Sequence, residues 1–209
     1  MKMLSKVLML ALCVTAMAFG AIIDDFSVGP QSTTDSVLGG GPTTSTVGSR
    51  TLVAEKFTGV NPLFLDVVVA GGALNVSTNV GVSGTGGAFY SGLWDLSSVG
   101  QTLAIDLVFK DLAGGDFAFR VSSDGGATWS TSGLLALPAS GNTLSALVSG
   151  FTGPAVLTSI NRVGFTHYTS LNQDASFDNF REYVIPEPGT YALMAAGLLG
   201  LFAIRRKRV

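Results

Sequence analysis

Few residues of this chain have the types and spacing that catalysis requires. The single histidine, His167, lies in the segment RVGFTHY, in line with Phe165 on a predicted strand, where a histidine is more often packed than catalytic. The sequence lacks the G-x-S-x-G and H-E-x-x-H patterns, and no phosphate-binding loop follows a strand. A carboxylate pair for glycoside hydrolysis stays open, because carboxylates are present and no pattern singles out two of them. The sequence therefore predicts no catalytic residue and favours a non-enzymatic protein.

Aromatic side chains offer a different chemistry, because a ring face can stack on the apolar C–H face of a sugar. Candidate sugar contacts are Tyr90, Trp94 and Tyr168. Trp129 has the same chemistry, but its segment already gives it a structural role. Most aromatic residues of a domain this size belong to the core, so we expect a minority of them to line a binding face.

The segment SSDGGATW, Ser122 to Trp129, fits the pattern S-x-D-x-G-x-T-W. It resembles the Asp-box, a β-hairpin turn of sialidase-type propellers and other carbohydrate-active proteins. Asp124 can accept N–H bonds across the turn, Gly125 and Gly126 permit positive φ, and Trp129 can pack under the hairpin. The motif occurs once, so it predicts a hairpin and no sialidase activity.

The middle of the chain must position these residues with strands. Glycine, serine and threonine are abundant, and no helical periodicity appears. In TLAIDLVFK, the side chains of Leu103, Ile105, Leu107 and Phe109 fall on one face of a strand. Residues Val28–Ser49 are polar and glycine-rich, which indicates a long loop with at most one short edge strand. About ten strands are predicted, a pattern typical of a β-sandwich or jelly roll: AIIDDFS, RTLVAEKF, FLDVVVA, ALNVSTN, GAFYSGLW, TLAIDLVFK, DFAFRVS, TLSALVS, RVGFTHY and ASFDNFREYV.

The first 20 residues are predicted to be a secretory signal peptide. Lys2 and Lys6 precede an apolar run over residues 7–19, and small residues follow, so cleavage is expected after Ala18 or Gly20. A buried N-terminal helix is the alternative. The only cysteine, Cys13, lies inside this segment, so the exported chain is expected to have no disulfide and no thiolate metal site.

The charge of the middle domain, residues 21–185, argues against nucleic acid. This range contains thirteen acidic and six basic side chains, a net charge of −7, against −2 for the whole chain. Phosphate contacts require a basic patch, so an acidic domain with scattered cations is a poor nucleic-acid binder.

The C-terminal segment is predicted to enter a membrane. Residues 190–204 are apolar, and as a helix they reach about 22 Å at ~1.5 Å per residue, short of a ~30 Å hydrocarbon core. Tyr191 and a terminal basic cluster can anchor the two ends, with the cluster on the cytoplasmic side. The alternative is a buried C-terminal helix. The basic cluster consists of Arg205, Arg206, Lys207 and Arg208.

The order of Pro186, Glu187 and Pro188, an apolar segment and a basic cluster closely resembles the PEP-CTERM sorting signal. The resemblance covers residues 186–209. It implies an integral-membrane exosortase as partner, a transient membrane helix, and delivery to the cell envelope or extracellular matrix of a Gram-negative bacterium that makes exopolysaccharide. The two prolines keep this peptide extended ahead of the helix.

The middle domain resembles galactose-binding-like and carbohydrate-binding jelly rolls, in its opening DDF, its closing DNF and the stretch GLWDLSSVGQTLAIDLVFKD. In such folds the first and last strands lie close together and often hold a structural calcium. The resemblance therefore implies a calcium site with oxygen ligands from Asp24, Asp25 and Asp178. The alternative is that these aspartates cap strand ends and face water.

The sequence thus predicts an all-β protein: one jelly-roll-like β-sandwich flanked by a signal peptide and a C-terminal transmembrane helix. The leading function is that of an exported, non-enzymatic surface or matrix protein associated with exopolysaccharide. A carbohydrate-active hydrolase and a purely structural envelope protein are the alternatives.

Overall fold

The computed structural model describes residues 21–185, and strands dominate this part of the chain. Two short 3₁₀ turns, Val148–Gly150 and Leu157–Ser159, interrupt them. The strands are β1 (Ala21–Asp24), β2 (Gln31–Asp35), β3 (Thr43–Val47), β4 (Arg50–Lys56), β5 (Leu65–Ala70), β6 (Ala73–Thr78), β7 (Gly84–Trp94), β8 (Gln101–Lys110), β9 (Asp116–Ser122), β10 (Ser130–Thr131), β11 (Leu135–Ala136), β12 (Asn142–Leu147), β13 (Ile160–Tyr168) and β14 (Ala175–Val184).

These strands form two antiparallel sheets, which pack into a jelly-roll-like β-sandwich. Sheet A has the order β12-β8-β14-β6-β5-β2, and β1 pairs with β14. Sheet B has the order β10-β9-β13-β7-β4-β3, and β11 pairs with β9. The chain crosses repeatedly between the sheets, so neighbours within a sheet are often distant in sequence. The predicted all-β sandwich is confirmed.

The core lies between the sheets and is rich in phenylalanine. Phe117 of β9 stacks on Phe165 of β13 with 5.3 Å between ring centroids, and Phe165 meets Phe180 of β14 edge-on at 5.3 Å. The first contact lies within sheet B, and the second joins sheet B to sheet A. Val163, Phe165 and His167 all point inward, as the alternation in RVGFTHY predicts.

One cation is also buried between the sheets. Lys56, at the end of β4, is 2% exposed. Its Nζ donates to four oxygens of the loops that flank β2 and β5. Because the ammonium has several oxygen partners, its burial is compensated by hydrogen bonds. The partners are the carbonyl oxygens of Ser36 (3.1 Å), Val60 (3.4 Å) and Leu63 (2.8 Å) and Oδ1 of Asn61 (2.9 Å).

Two details of the predicted strands are wrong. Residues 28–49 contain two edge strands, β2 and β3, instead of one long loop. Their inward polar groups are satisfied by hydrogen bonds: Gln31 Nε2 donates to Ser45 O at 2.7 Å, and Thr33 Oγ1 donates to Thr43 Oγ1 at 3.1 Å. Phe109 is 48% exposed instead of core-facing. A register shift against β14 breaks the alternation of β8 just before it.

Within residues 21–185, no helix is long and apolar enough to cross a membrane. The predicted signal peptide and C-terminal helix lie outside the described residues. The domain boundaries after residues 20 and 185 stay predictions.

Candidate functional site

The outer face of sheet B carries an open groove of about 450 Å³. Outward-pointing side chains of β4, β7, β9 and β13 form its floor, because alternate residues of each strand point away from the core. Four aromatic residues line it, together with three charged ones and several threonines. The aromatic residues are Phe57, Phe89, Trp129 and Tyr168, and the charged ones are Glu55, Arg120 and Arg162.

Strand register places these side chains along the groove. Thr85 of β7 lies between Glu55 of β4 and Tyr168 of β13. Gly164 of β13 lies opposite Arg120 of β9. Arg162 is six residues from Tyr168 on the same strand, so the two stand about 20 Å apart at ~3.3 Å per residue. The groove therefore has the dimensions to hold an extended chain.

The predicted hairpin turn between β9 and β10 is confirmed. Asp124 Oδ1 accepts a hydrogen bond from the N–H of Thr128 at 2.9 Å, and Oδ2 accepts one from Thr128 Oγ1 at 2.6 Å. Gly125 and Gly126 have φ of 76° and 95°, conformations that favour glycine. The hydrogen bonds from Ser122 and Thr128 hold the pKa of Asp124 well below its ordinary value.

This hairpin also positions Trp129 at the groove. The indole lies 4.8 Å from the Phe89 ring, centroid to centroid, and remains half-buried. A Cβ on Gly126 would stand 3.0 Å from the Trp129 ring, so the turn and the indole are in close contact. Trp129 therefore combines the expected hairpin role with a place in the groove, and the latter is not evident from the motif alone.

Two arginines complete the site, and the sequence reasoning missed both. The Arg162 guanidinium lies 5.9 Å from the centroid of the Phe89 ring, and its Nη1 donates to Gly125 O at 3.3 Å. Arg120 Nη2 donates to the Tyr168 hydroxyl. The sequence indicates only that both arginines point away from the core, since each alternates with core residues in a predicted strand.

Of the three predicted sugar contacts, Tyr168 alone lies in the groove. Tyr90 is 3% exposed and packs against Phe180 at 5.5 Å between ring centroids. Burial, together with the nearby carboxylate of Asp24, raises the pKa of Tyr90 well above its ordinary value. Trp94 packs against the edge of the core at the end of β7. The structure thus brings neither Tyr90 nor Trp94 to the groove.

The three aspartates predicted to bind calcium have protein partners. Asp24 Oδ2 pairs with Arg50 Nη1 at 2.7 Å, and Arg50 also donates to Gln31 Oε1 at 2.8 Å. Asp25 accepts bonds from the N–H and hydroxyl of Ser27, which lower its pKa. Asp178 accepts a bond from the N–H of Asn179 at 2.6 Å.

The donor set around these aspartates does not fit a calcium ion well, because the Arg50 guanidinium already neutralises Asp24. Between residues 21 and 185, no three or more His, Cys, Asp and Glu side chains are grouped as a metal site requires. Calcium stays a prediction for which this region offers no preformed cage.

His167 lies away from the groove, in the core. It is fully buried, and its Nδ1 lies 3.2 Å from Asp116 O. Burial lowers the pKa of His167 to about 4, so the ring is neutral at pH 7. The structure gives it a packing role.

The predicted sorting residues Pro186, Glu187 and Pro188 and the basic cluster at residues 205–208 lie outside the described residues. Comparison with known proteins bears on them directly. Residues 184–208 match the PEP-CTERM protein-sorting motif. The PEP-CTERM motif indicates export and sorting to the cell surface in bacteria, with an exosortase as the processing partner. No curated protein matches the chain.

Several solved structures are similar to this chain. A family 11 carbohydrate-binding module of Clostridium thermocellum has 15% identity and a TM-score of 0.47, covering 81% of this chain and 97% of the module. An exo-β-agarase has 13% identity and a TM-score of 0.43, covering 79% of this chain and 25% of the agarase. A family 29 carbohydrate-binding module complexed with mannohexaose has 13% identity and a TM-score of 0.37, covering 74% of this chain and 93% of the module. Identities this low assign no ligand to this chain.

Proposed function

We propose that this protein is an exported, non-enzymatic polysaccharide-binding protein of the cell envelope or extracellular matrix, and that the sheet B groove is its binding surface. One observation carries the proposal: Trp129 and Tyr168 both line an open groove on the outer face of a sheet. The outer face of an antiparallel sheet in water is ordinarily polar, so aromatic rings gathered there favour a ligand.

The other groups of the groove suit a sugar chain. Phe57 is 49% exposed at one edge, so its ring is accessible from the solvent. Threonine side chains between the aromatic rings supply hydroxyls that both donate and accept hydrogen bonds. Binding sites commonly combine apolar surface with a few placed polar groups. The threonines are Thr44, Thr51, Thr85 and Thr166.

Binding is a better fit than hydrolysis. Glycoside hydrolysis generally uses two carboxyl groups that flank the scissile bond. Among the described residues that line the groove, Glu55 alone carries a carboxylate. We therefore propose that the groove retains polysaccharide without cleaving it.

The test is a binding assay on the full chain, purified in a non-ionic detergent, against a panel of soluble polysaccharides. Trp129→Ala is expected to weaken binding at least tenfold, because tryptophans dominate many binding interfaces. Phe109→Ala is the matched control, since this ring is 48% exposed on β8 of the opposite sheet. The two variants must retain the native melting temperature.

Three outcomes would contradict the proposal. Native affinity in the Trp129→Ala variant would exclude the groove as the binding surface. Retention of no polysaccharide would favour a purely structural envelope protein. Release of reducing sugar from the bound polysaccharide would make the protein a hydrolase.

For sorting, we propose that an exosortase of a Gram-negative host cleaves the chain at its PEP-CTERM segment while a C-terminal helix holds it in the inner membrane. Replacing Pro186, Glu187 and Pro188 with alanine is expected to leave uncleaved protein in the membrane fraction. Pro154→Ala, an exposed proline of the sandwich, is the control. An unchanged mature C-terminus in the triple variant would contradict exosortase processing at this motif.

A further inference from the structure

We infer that the polysaccharide held by the sheet B groove is acidic, with carboxylate groups on its sugar units. This inference rests on the proposed function and adds the chemical class of the ligand. It follows from the hydrogen-bond and ion-pair partners of the lysine and arginine side chains within residues 21–185.

Most cations in this range already have a structural partner. Arg181 forms a two-point ion pair with Asp106, with both Nη–Oδ distances at 2.9 Å. Arg50 pairs with Asp24 at 2.7 Å. The two lysines donate to oxygens of the chain: Lys56 to four of them, and Lys110 to Leu137 O at 2.8 Å.

The two remaining cations both face the groove. Within residues 21–185, neither Arg120 nor Arg162 has a carboxylate oxygen within 4.0 Å. Each guanidinium has five N–H donors. One hydrogen bond to the described residues is found from each, to the Tyr168 hydroxyl and to Gly125 O respectively. The arginines thus keep donors for an outside acceptor.

The spacing of the two arginines suits one extended anionic chain. Arg120 pairs with Gly164, two residues from Arg162 on the neighbouring strand. At ~3.3 Å per residue and ~4.8 Å between strands, their Cα atoms lie about 8 Å apart. The planar fork of a guanidinium matches a carboxylate with two parallel N–H···O bonds, a geometry that a neutral hydroxyl cannot reproduce.

The negative charge of the rest of the domain restricts an anionic ligand to the groove. The domain carries a net charge of −7, so its surface as a whole repels an anionic polymer. The groove reverses this locally, with two arginines against the single carboxylate of Glu55. An acidic polysaccharide would therefore bind at the groove and be disfavoured elsewhere on the domain.

The experiment compares polymers that differ in charge and share a backbone. The full chain in non-ionic detergent is titrated with polygalacturonate and with its fully methyl-esterified form, and alginate, hyaluronate, dextran sulfate, a neutral β-glucan and single-stranded DNA complete the panel. We expect at least one uronate polymer to bind. If polygalacturonate is that polymer, its esterified form should bind at least tenfold more weakly. Raising the salt from about 50 to 500 mM should weaken uronate binding, because screening shortens the reach of the charges.

Arginine variants locate the effect. Arg120→Gln and Arg162→Gln are each expected to weaken uronate binding about tenfold, because each loses a charge-assisted hydrogen-bond pair. Arg120→Lys should recover only part of the affinity, since lysine keeps the charge without the fork. Arg181→Gln removes the same charge from sheet A and should bind uronate as the native chain does. Melting temperatures establish that each variant is folded.

The outcomes separate this inference from the proposed function. Tighter binding to the neutral β-glucan or to the esterified polymer, or no effect of both glutamine variants, overturns the acidic ligand and leaves polysaccharide binding intact. Binding to dextran sulfate alone overturns the carboxylate assignment. Tighter binding to single-stranded DNA than to every uronate overturns it as well. If no polysaccharide binds, both the inference and the proposed function fail.

Discussion

The arginines of the two sheets differ in their partners. On sheet A, Arg181 of β14 forms a two-point ion pair with Asp106 of β8. On the outer face of sheet B, Arg120 and Arg162 line a groove and have no carboxylate partner among the described residues. The two sheets also differ in their aromatic residues. Phe109 of sheet A is a half-exposed ring, whereas Trp129 and Phe89 pack together on sheet B at 4.8 Å between centroids. The arginine of sheet A is thus satisfied by a carboxylate of the same sheet, whereas the two arginines of sheet B keep free donors beside a cluster of aromatic rings.

This difference indicates where a ligand is required. A guanidinium that already has a carboxylate gains little from an outside anion, because the exchange replaces one ion pair with another. A guanidinium with unused donors beside aromatic rings gains both hydrogen bonds and apolar contact. Function in this fold is therefore expected on sheet B, with sheet A as the natural internal control.

The largest change in the free energy of unfolding should come from removing the Lys56 ammonium, which is buried between the two sheets. Lys56→Met removes the ammonium and leaves the carbonyl oxygens of Ser36 and Leu63 without a hydrogen-bond donor among the described residues. We expect a loss of about 3 kcal/mol in the free energy of unfolding, because unsatisfied buried acceptors are costly. Urea denaturation measures it. A loss below about 1 kcal/mol would show that these oxygens find other partners, and that the sheets are held together without Lys56.

Acid should lower the free energy of unfolding through His167. This residue lies on β13 of sheet B, between the groove residues Thr166 and Tyr168. Burial lowers the pKa of His167 from 6.5 to about 4, so between these pH values the unfolded chain binds the extra proton. Stability from the neutral ring is therefore full above pH ~6.5 and falls as the pH is lowered towards 4, by about 3 kcal/mol in total.

The variant His167→Phe should reduce this pH dependence. Unfolding free energies at pH 7, 6, 5 and 4.5 compare the two proteins. Carboxylates titrate in both, so the difference between the two curves reports on His167. Parallel curves would mean that the imidazole titrates with the same pKa in the folded protein as in the unfolded chain, and would contradict the effect of burial.

A smaller effect is expected for the Tyr168 hydroxyl. Tyr168→Phe removes the acceptor for Arg120 Nη2 and leaves the ring in place. We expect polysaccharide affinity to fall about threefold to tenfold, the range that a net hydrogen-bond contribution of about 1 kcal/mol gives. Tyr183→Phe, on β14 of sheet A, is the control and should not change affinity. Equal losses in the two variants would remove the distinction between the sheets.

The smallest effect is expected from the ion pair of sheet A. Burial alone raises the pKa of Asp106, but hydrogen bonds from Arg181 and Thr143 outweigh it and lower the pKa. Asp106→Asn should cost less than about 1 kcal/mol at pH 7, since the pair is partly exposed and screened. The cost should vanish as the pH falls below the ordinary range of an aspartate. Polysaccharide affinity should stay the same, and a marked loss would place binding on sheet A.

The sequence predicts the sandwich well because alternation reports which strand residues face the core, as Val163, Phe165 and His167 illustrate. It fails for β2, whose inward Gln31 and Thr33 are polar and are satisfied only by residues of other strands. The same limit applies to the groove. Tyr168 was predicted from ring chemistry, but Arg120, Arg162 and Trp129 meet there through the pairing of β7, β9 and β13, which local patterns do not encode.

The central claim, that the sheet B groove holds the polysaccharide, can be tested most directly with the two tryptophans of the chain. Trp129 lines the groove, and Trp94 lies outside it at the end of β7. The indole N–H signals of the ¹⁵N-labelled full chain are recorded by NMR during titration with the polysaccharide that binds most tightly, after assignment with Trp94→Phe and Trp129→Phe. We predict that the Trp129 signal shifts or broadens with saturation and that the Trp94 signal stays in place. A saturating change at Trp94, with Trp129 unaffected, would contradict the claim.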